Sequence, residues 1–120
     1  MKLDKDLFFL NHILSSIAKI EELCQNASYK TFISDWKIQD AVIRNLEIIG
    51  EASKNVSSEL KSEHINIYWQ DVTGMRNFLI HEYFALDFEI VWNTIQNDLP
   101  VFKEKIKGLI QQMDGSLHNI

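Results

Sequence analysis

The chain has 120 residues, 46% of them hydrophobic and 24% charged, with a formal net charge of −5 at pH 7. That length and apolar content fit one globular domain with a hydrophobic core of its own. The acidic balance disfavours a protein that coats nucleic acid through a broad basic surface. It leaves room for an enzyme that grips one phosphodiester with a few local cations, and for a basic partner. With four glycines and one proline the chain has few helix breakers, and its long stretches of Leu, Ile, Glu and Lys lack β-type alternation, so the expected class is all-α. The single cysteine, Cys24, reads as a small buried hydrophobe and cannot form an internal disulfide. Residues 1–10 contain Lys2, Asp4, Lys5 and Asp6, which interrupt any signal-peptide core. No apolar run has the length of a membrane span, so the expectation is a cytoplasmic protein with no membrane association.

In chain order, Leu3, Leu7, Leu10, Ile13 or Leu14, Ile17, Ile20 and Leu23 recur at intervals of three and four and predict a helix over about 3–24. The period breaks over 25–34. Asp35 is a candidate N-cap for a second amphipathic helix marked by Ile38, Val42, Leu46, Ile49 and Val56, ending near Ser57. A polar connection to Asn66 follows. A short third helix is expected over about 69–82, with Val72, Met75 and Leu79 on its buried side. Asp87 should cap a fourth, whose inward positions are Ile90, Val91, Ile95 and Leu99. Pro100 is expected to kink or restart that helix before Phe102, Ile106 and Ile110 continue the stripe. These elements make an antiparallel up-and-down bundle of four main helices over 1–113, followed by a flexible tail over 114–120.

The chain has only two arginines, in Arg44-Asn45-Leu46-Glu47 and in Arg76-Asn77-Phe78-Leu79-Ile80-His81-Glu82-Tyr83. A guanidinium offers a planar fork that binds phosphate bidentately and keeps its charge, properties a merely solvated surface does not require. His81 can act as an acid or base near neutral pH. The alternative for Arg76 is a surface ion pair with Asp71 or Glu82, and for His81 a packed or solvated side chain. On a helical wheel Asn77 and His81 share one stripe and Arg76 and Tyr83 another, roughly 100 to 160° away. The stripes converge only if the helix ends near His81, if Arg76 curls over, or if a second subunit closes the site. Ile80 lies between them, an awkward place for an apolar side chain in a monomer and a natural one at a subunit interface.

On the second helix Asp40, Arg44, Glu47 and Glu51 share a face, either as a solvated ion-pair stripe or as a polar lining that supports the Arg76–Tyr83 segment. Gly50 within that helix is consistent with close helix approach. The histidines His12, His64, His81 and His118 show no paired metal-ligand spacing, and no metal or other cofactor is expected. Trp36, Trp69 and Trp92 read as core or interface anchors rather than base-stacking platforms.

The run Gln39 to Ala52, then Trp69, Gly74 to Phe84, Asp87, Val91-Trp92 and Leu99-Pro100 resembles the HEPN-domain toxins paired with minimal nucleotidyltransferases, the HepT-like family. The resemblance covers most of residues 5–110. It implies a homodimeric helical bundle that cleaves RNA without a metal, with Arg76 and His81 as catalytic residues; the residue types then suit Asn77 to holding an oxygen or orienting His81. It implies further that Tyr83 receives AMP from the partner nucleotidyltransferase, an antitoxin. The competing reading is a non-catalytic helical module that partners such a nucleotidyltransferase and keeps the motif for contact or as a modification target.

Overall fold

The computed structural model describes residues 2–67, 69–74 and 87–118. Among them there is no strand. The elements are α1 (Lys2–Cys24), α2 (Tyr29–Ser34), α3 (Trp36–Asn55), α4 (Ser58–Glu63), α5 (69–74), α6 (Phe88–Asn93), a π-helical turn (Thr94–Asp98) and α7 (Leu99–His118).

The first long helix fulfils its pattern. Asp6, Leu10, Ile13, Ile17 and Ile20 are buried at spacings of four, three, four and three. On α3 the buried Val42, Leu46, Ile49, Ser53 and Val56 repeat that rhythm. Matching stripes of this spacing let two helices lie nearly along one another, and α1 and α3 form the most extensive helix pair. Their direction follows from one contact at the end of the seam. The Asp6 carboxylate, in the first turns of α1, accepts the Ser57 backbone N–H at 2.8 Å and the Ser57 hydroxyl at 2.6 Å, just beyond the end of α3. The pair is therefore antiparallel. At the other end of α1, Lys103 donates to both Glu21 oxygens at 3.1 and 3.0 Å, which makes α7 antiparallel to α1 as well. Each fully buried Leu or Ile on this seam stabilises the fold by about 1.5–3 kcal/mol relative to exposure.

The helix starts are set by short polar side chains. Asp35 accepts the N–H groups of Lys37 at 3.0 Å and Ile38 at 3.3 Å, and Asp87 accepts that of Glu89 at 2.9 Å. Both caps match expectation. Ser28 and Ser57 do the same for α2 and α4, through Thr31 at 3.2 Å and Leu60 at 3.3 Å. Neither helix was expected, because each has six residues and buries one side chain, Phe32 or Leu60, which is too little to form a periodic stripe. A cap was the only sign either one carried.

One expectation about the C-terminal half is met and one is corrected. Pro100 stands at the restart expected there, since α7 begins at Leu99. Having no N–H to give the preceding turn, it coincides with a change of ladder, in which the Leu99 N–H reaches back five residues to the Thr94 carbonyl. A wider turn takes more residues per revolution, so Val91, Ile95 and Leu99, each four apart, stay on the buried side. Ile90, expected inward, is left 59% exposed. α7 runs as far as His118. Ile106 and Leu109 carry the α7 stripe into the core, joined by Met113.

Trp69 is buried as expected, with its ring 6.2 Å from that of Phe102 on α7. Trp92 is half-buried, 5.3 Å from Phe32 on α2. Trp36 is not core, since 66% of it is exposed. Among the described residues, no helix is long and apolar enough to cross a membrane.

Candidate active site

The segment that carries Arg76, Asn77, His81 and Tyr83 lies outside the described residues, together with Met75, Leu79, Ile80 and the latter part of the helix expected over 69–82. The structure does describe the two stretches of chain that lead into and out of it. On the entering side, α5 is pinned to α7 through the Trp69–Phe102 ring contact, and Val72 is half-buried. On the leaving side, Asp87 caps α6, and Phe88 packs edge-on against the buried Phe32 ring with centroids 5.9 Å apart. Residues 74 and 87 are thus each held within a few residues by aromatic packing on a different part of the bundle.

Between these flanks, α5 and the α6–α7 helix border a groove of about 610 Å³. Its apolar lining comes from Ile67, Val72, Ile90, Val101 and Phe102, and Gly74 also borders it. Asp71 and Asp98 are its acidic residues. Lys105 supplies a cation, whose ammonium donates to the Asn66 carbonyl at 2.8 Å. A groove with this lining offers apolar contact more readily than phosphate binding.

The supporting residues named from sequence sit on the outside of α3. Arg44 and Glu51 are exposed and Glu47 is half-buried. The Arg44 guanidinium lies 3.5 Å from the Glu47 carboxylate, one turn away along the helix. This is the geometry of a solvated i,i+3 pair, worth a few tenths of a kcal/mol. By helical phase the stripe of Asp40, Arg44, Glu47 and Glu51 points opposite to Val42, Leu46, Ile49 and Ser53, the residues buried at the centre of the α3 core face.

Next to Arg44, however, Asn45 is buried, a feature the sequence reading passed over. Its side-chain amide donates to the Ala41 carbonyl at 2.8 Å, and its Oδ1 has no hydrogen-bond partner. Ser53 Oγ and Trp69 Nε1 are also buried without partners. Gly50 is buried on the same helix. The signal that could have singled out Asn45 is its phase, three residues after Val42 and four before Ile49, both core positions.

Lys61 lies over Trp69, with its ammonium 5.8 Å from the ring centroid. Burial holds its pKa below the ordinary lysine value, opposed by the nearby Asp6 carboxylate. Burial likewise pushes the Cys24 thiol up, as expected of a cysteine that serves packing rather than nucleophilic chemistry. Among the described residues no group of three His, Cys, Asp or Glu side chains could hold a metal ion.

Residues 13–109 match the family model described as Ribonuclease HepT-like. The chain is 39% identical, over 111 residues, to a protein of Methanocaldococcus jannaschii whose name joins a gamma-glutamylcyclotransferase to a putative RNase; the match takes in 92% of this chain and 50% of that one. It is 36% identical over 104 residues to a protein of Caldanaerobacter subterraneus subsp. tengcongensis named as a putative RNase, covering 87% of this chain and 93% of that one. It is 43% identical over 101 residues to a protein of Thermococcus cleftensis named probable ribonuclease HepT, covering 84% and 92% respectively. The chain therefore spans half the length of the first relative and more than nine-tenths of the other two. No solved structure matches it.

Proposed function

Since the chain belongs to the HepT-like ribonuclease family, we propose that it is a metal-independent endoribonuclease, the toxin of a toxin–antitoxin pair, acting as a homodimer around Arg76 and His81. The observation that carries this reading is that Arg76-Asn77-Phe78-Leu79-Ile80-His81-Glu82-Tyr83 lies whole within the matched stretch. The residue types supply a reaction. The 2′-OH of the RNA attacks the adjacent phosphorus, forming a 2′,3′-cyclic phosphate and expelling the 5′ oxygen, which leaves as a hydroxyl once protonated. Arg76 stabilises the negative charge that builds on the phosphorane oxygens, and Asn77 holds an oxygen or orients His81.

The reaction needs one group to take the 2′ proton and another to protonate the leaving oxygen. One chain offers a single histidine in the motif. Two subunits related by a two-fold axis supply a His81 each, one as base and one as acid. Ile80, between the polar stripes, is then an interface residue.

Tyr83 is the regulatory handle. A partner nucleotidyltransferase attaches AMP to its hydroxyl, placing a bulky anion beside Arg76, where the substrate phosphate binds. Cleavage is blocked by charge and by volume together.

The test is expression of the chain in a bacterial host alone and beside a nucleotidyltransferase encoded next to it. Alone, the chain arrests growth and fragments RNA. Beside the partner, growth recovers and the chain gains the mass of an AMP group, which Tyr83→Phe abolishes. Unimpaired growth with intact RNA in the chain-alone culture contradicts the proposal.

A further inference from the structure

Exposed aromatic residues and lysines are concentrated where α2 meets α3. Trp36 is 66% exposed, Ile33 45% and Tyr29 38%, three of the seven large hydrophobic residues exposed on the described surface. Lys30 and Lys37 are exposed among them, and the Lys37 ammonium lies 5.9 Å from the centroid of the Trp36 ring. By helical phase Tyr29, Ile33 and Lys30 fall on one side of α2. Trp36 and Lys37 open α3 directly after the Asp35 cap. Two carboxylates lie nearby: that of Asp35 is occupied by the Lys37 and Ile38 backbone N–H groups, which reduces its opposition to an incoming anion, and the exposed Asp40 lies one turn along α3 from Trp36.

We infer that this patch is a landing platform for single-stranded RNA, with Trp36 and Tyr29 stacking on bases and Lys30 and Lys37 contacting the backbone phosphates. The inference rests on the proposed action on RNA and adds to it a place, outside the motif, where the strand is held. Three observations favour RNA as the occupant. The chain carries a net charge of −5, so a polyanion is repelled from most of the surface and binds only where cations gather. Rings flanked by ammonium groups suit bases and phosphates, whereas the buried centre of a protein interface is depleted of lysine. The third is position. Phe32 on α2 packs against Phe88 and Trp92, centroids 5.9 and 5.3 Å away, and Phe88 directly follows the Asp87 cap at which the motif segment ends. The Tyr29 ring lies 6.3 Å from the same Trp92 ring, so the platform adjoins that packing directly.

The probe is a fluorescent 2′-O-methyl RNA oligonucleotide of twenty nucleotides, whose blocked 2′ oxygen prevents cleavage and allows binding to be read on the wild-type chain. Trp36→Ala should weaken binding by about tenfold, and Trp36→Phe should restore most of it. In Lys30→Ala/Lys37→Ala the slope of log affinity against log salt should fall by about 1.4, two phosphate contacts at roughly 0.7 each on a single strand. Cleavage of a dinucleotide, too short to reach the platform, should be unchanged in all three variants. Because binding and cleavage are measured separately, a chain that binds through Trp36 but cuts no RNA supports the platform and counts against the ribonuclease reading. Wild-type affinity in both Trp36→Ala and the double lysine variant overturns the inference. So does a Trp36→Ala chain that loses a protein partner but keeps its affinity for the oligonucleotide.

Discussion

Along the seam between α1 and α3, buried aliphatic residues repeat at spacings of three and four until Asp6 and Ser57 close one end with paired short hydrogen bonds. The flank formed by α5, α6 and α7 differs at each point. It has a groove of about 610 Å³, exposes Ile90 and Val101 beside it, and holds the chain on either side of the motif by ring contacts rather than a continuous stripe. The contrast indicates a division of labour. The α1–α3 seam is packed along its length, whereas α6 and α7 bury Val91, Ile95, Leu99, Ile106, Leu109 and Met113 on one side and leave apolar and polar surface open on the other, beside the motif segment.

Five substitutions test that division. The largest effect is expected in the motif, where Arg76→Ala or His81→Ala should reduce RNA cleavage by about 10²–10⁴-fold while the melting temperature stays near that of wild type. Kinetics on purified protein with a parallel thermal melt checks both halves of that statement. A large loss of stability in either variant would mean that the motif also carries the fold.

The converse substitution lies on the seam. Ile17→Ala, at a fully buried position, should cost about 2–5 kcal/mol in urea unfolding, with cleavage per folded molecule retained. Asp6→Ala comes next. It removes the acceptor of both Ser57 hydrogen bonds and should cost about 1–3 kcal/mol, since a part-buried N–H and hydroxyl lose their partner. The smallest effect belongs to Asp87→Ala, about 1 kcal/mol for a lost N-cap. If that variant instead loses cleavage in step with His81→Ala, the start of α6 positions the motif as well as ending it.

Much of the fold could be read from the residue pattern, for physical reasons. The helix pair α1 and α3 is long enough for several turns of periodic burial to accumulate, and Asp35 and Asp87 precede amphipathic stretches at the one place where an aspartate stabilises a helix start. The six-residue helices α2 and α4 left no such record. Ile90 was expected inward with its neighbour Val91, although a 3.6-residue period sets it about 140° from the buried Ile95, and it is exposed. For Trp36, expected as a core or interface anchor, exposure leaves the interface alternative, because the size of a side chain does not reveal whether the bundle closes over it. The candidate site was legible as a string of residue types and as a family resemblance. Its assembly was not, because a helical wheel drawn over the segment puts Arg76 and His81 on different stripes, and no local pattern encodes what would bring them together.

The central claim is cleavage of RNA by 2′-OH attack at a site built from Arg76 and His81, and the most direct measurement is of the ends that cleavage leaves. Purified wild-type chain and His81→Ala are incubated with an end-labelled RNA in excess chelator, and the fragments are analysed by mass. Fragments ending in 2′,3′-cyclic phosphate, matched by fragments beginning with 5′-hydroxyl, are expected from the wild-type chain alone. Intact RNA with the wild-type chain, cutting only when a divalent metal is restored, or fragments bearing 5′-phosphate would contradict the central claim.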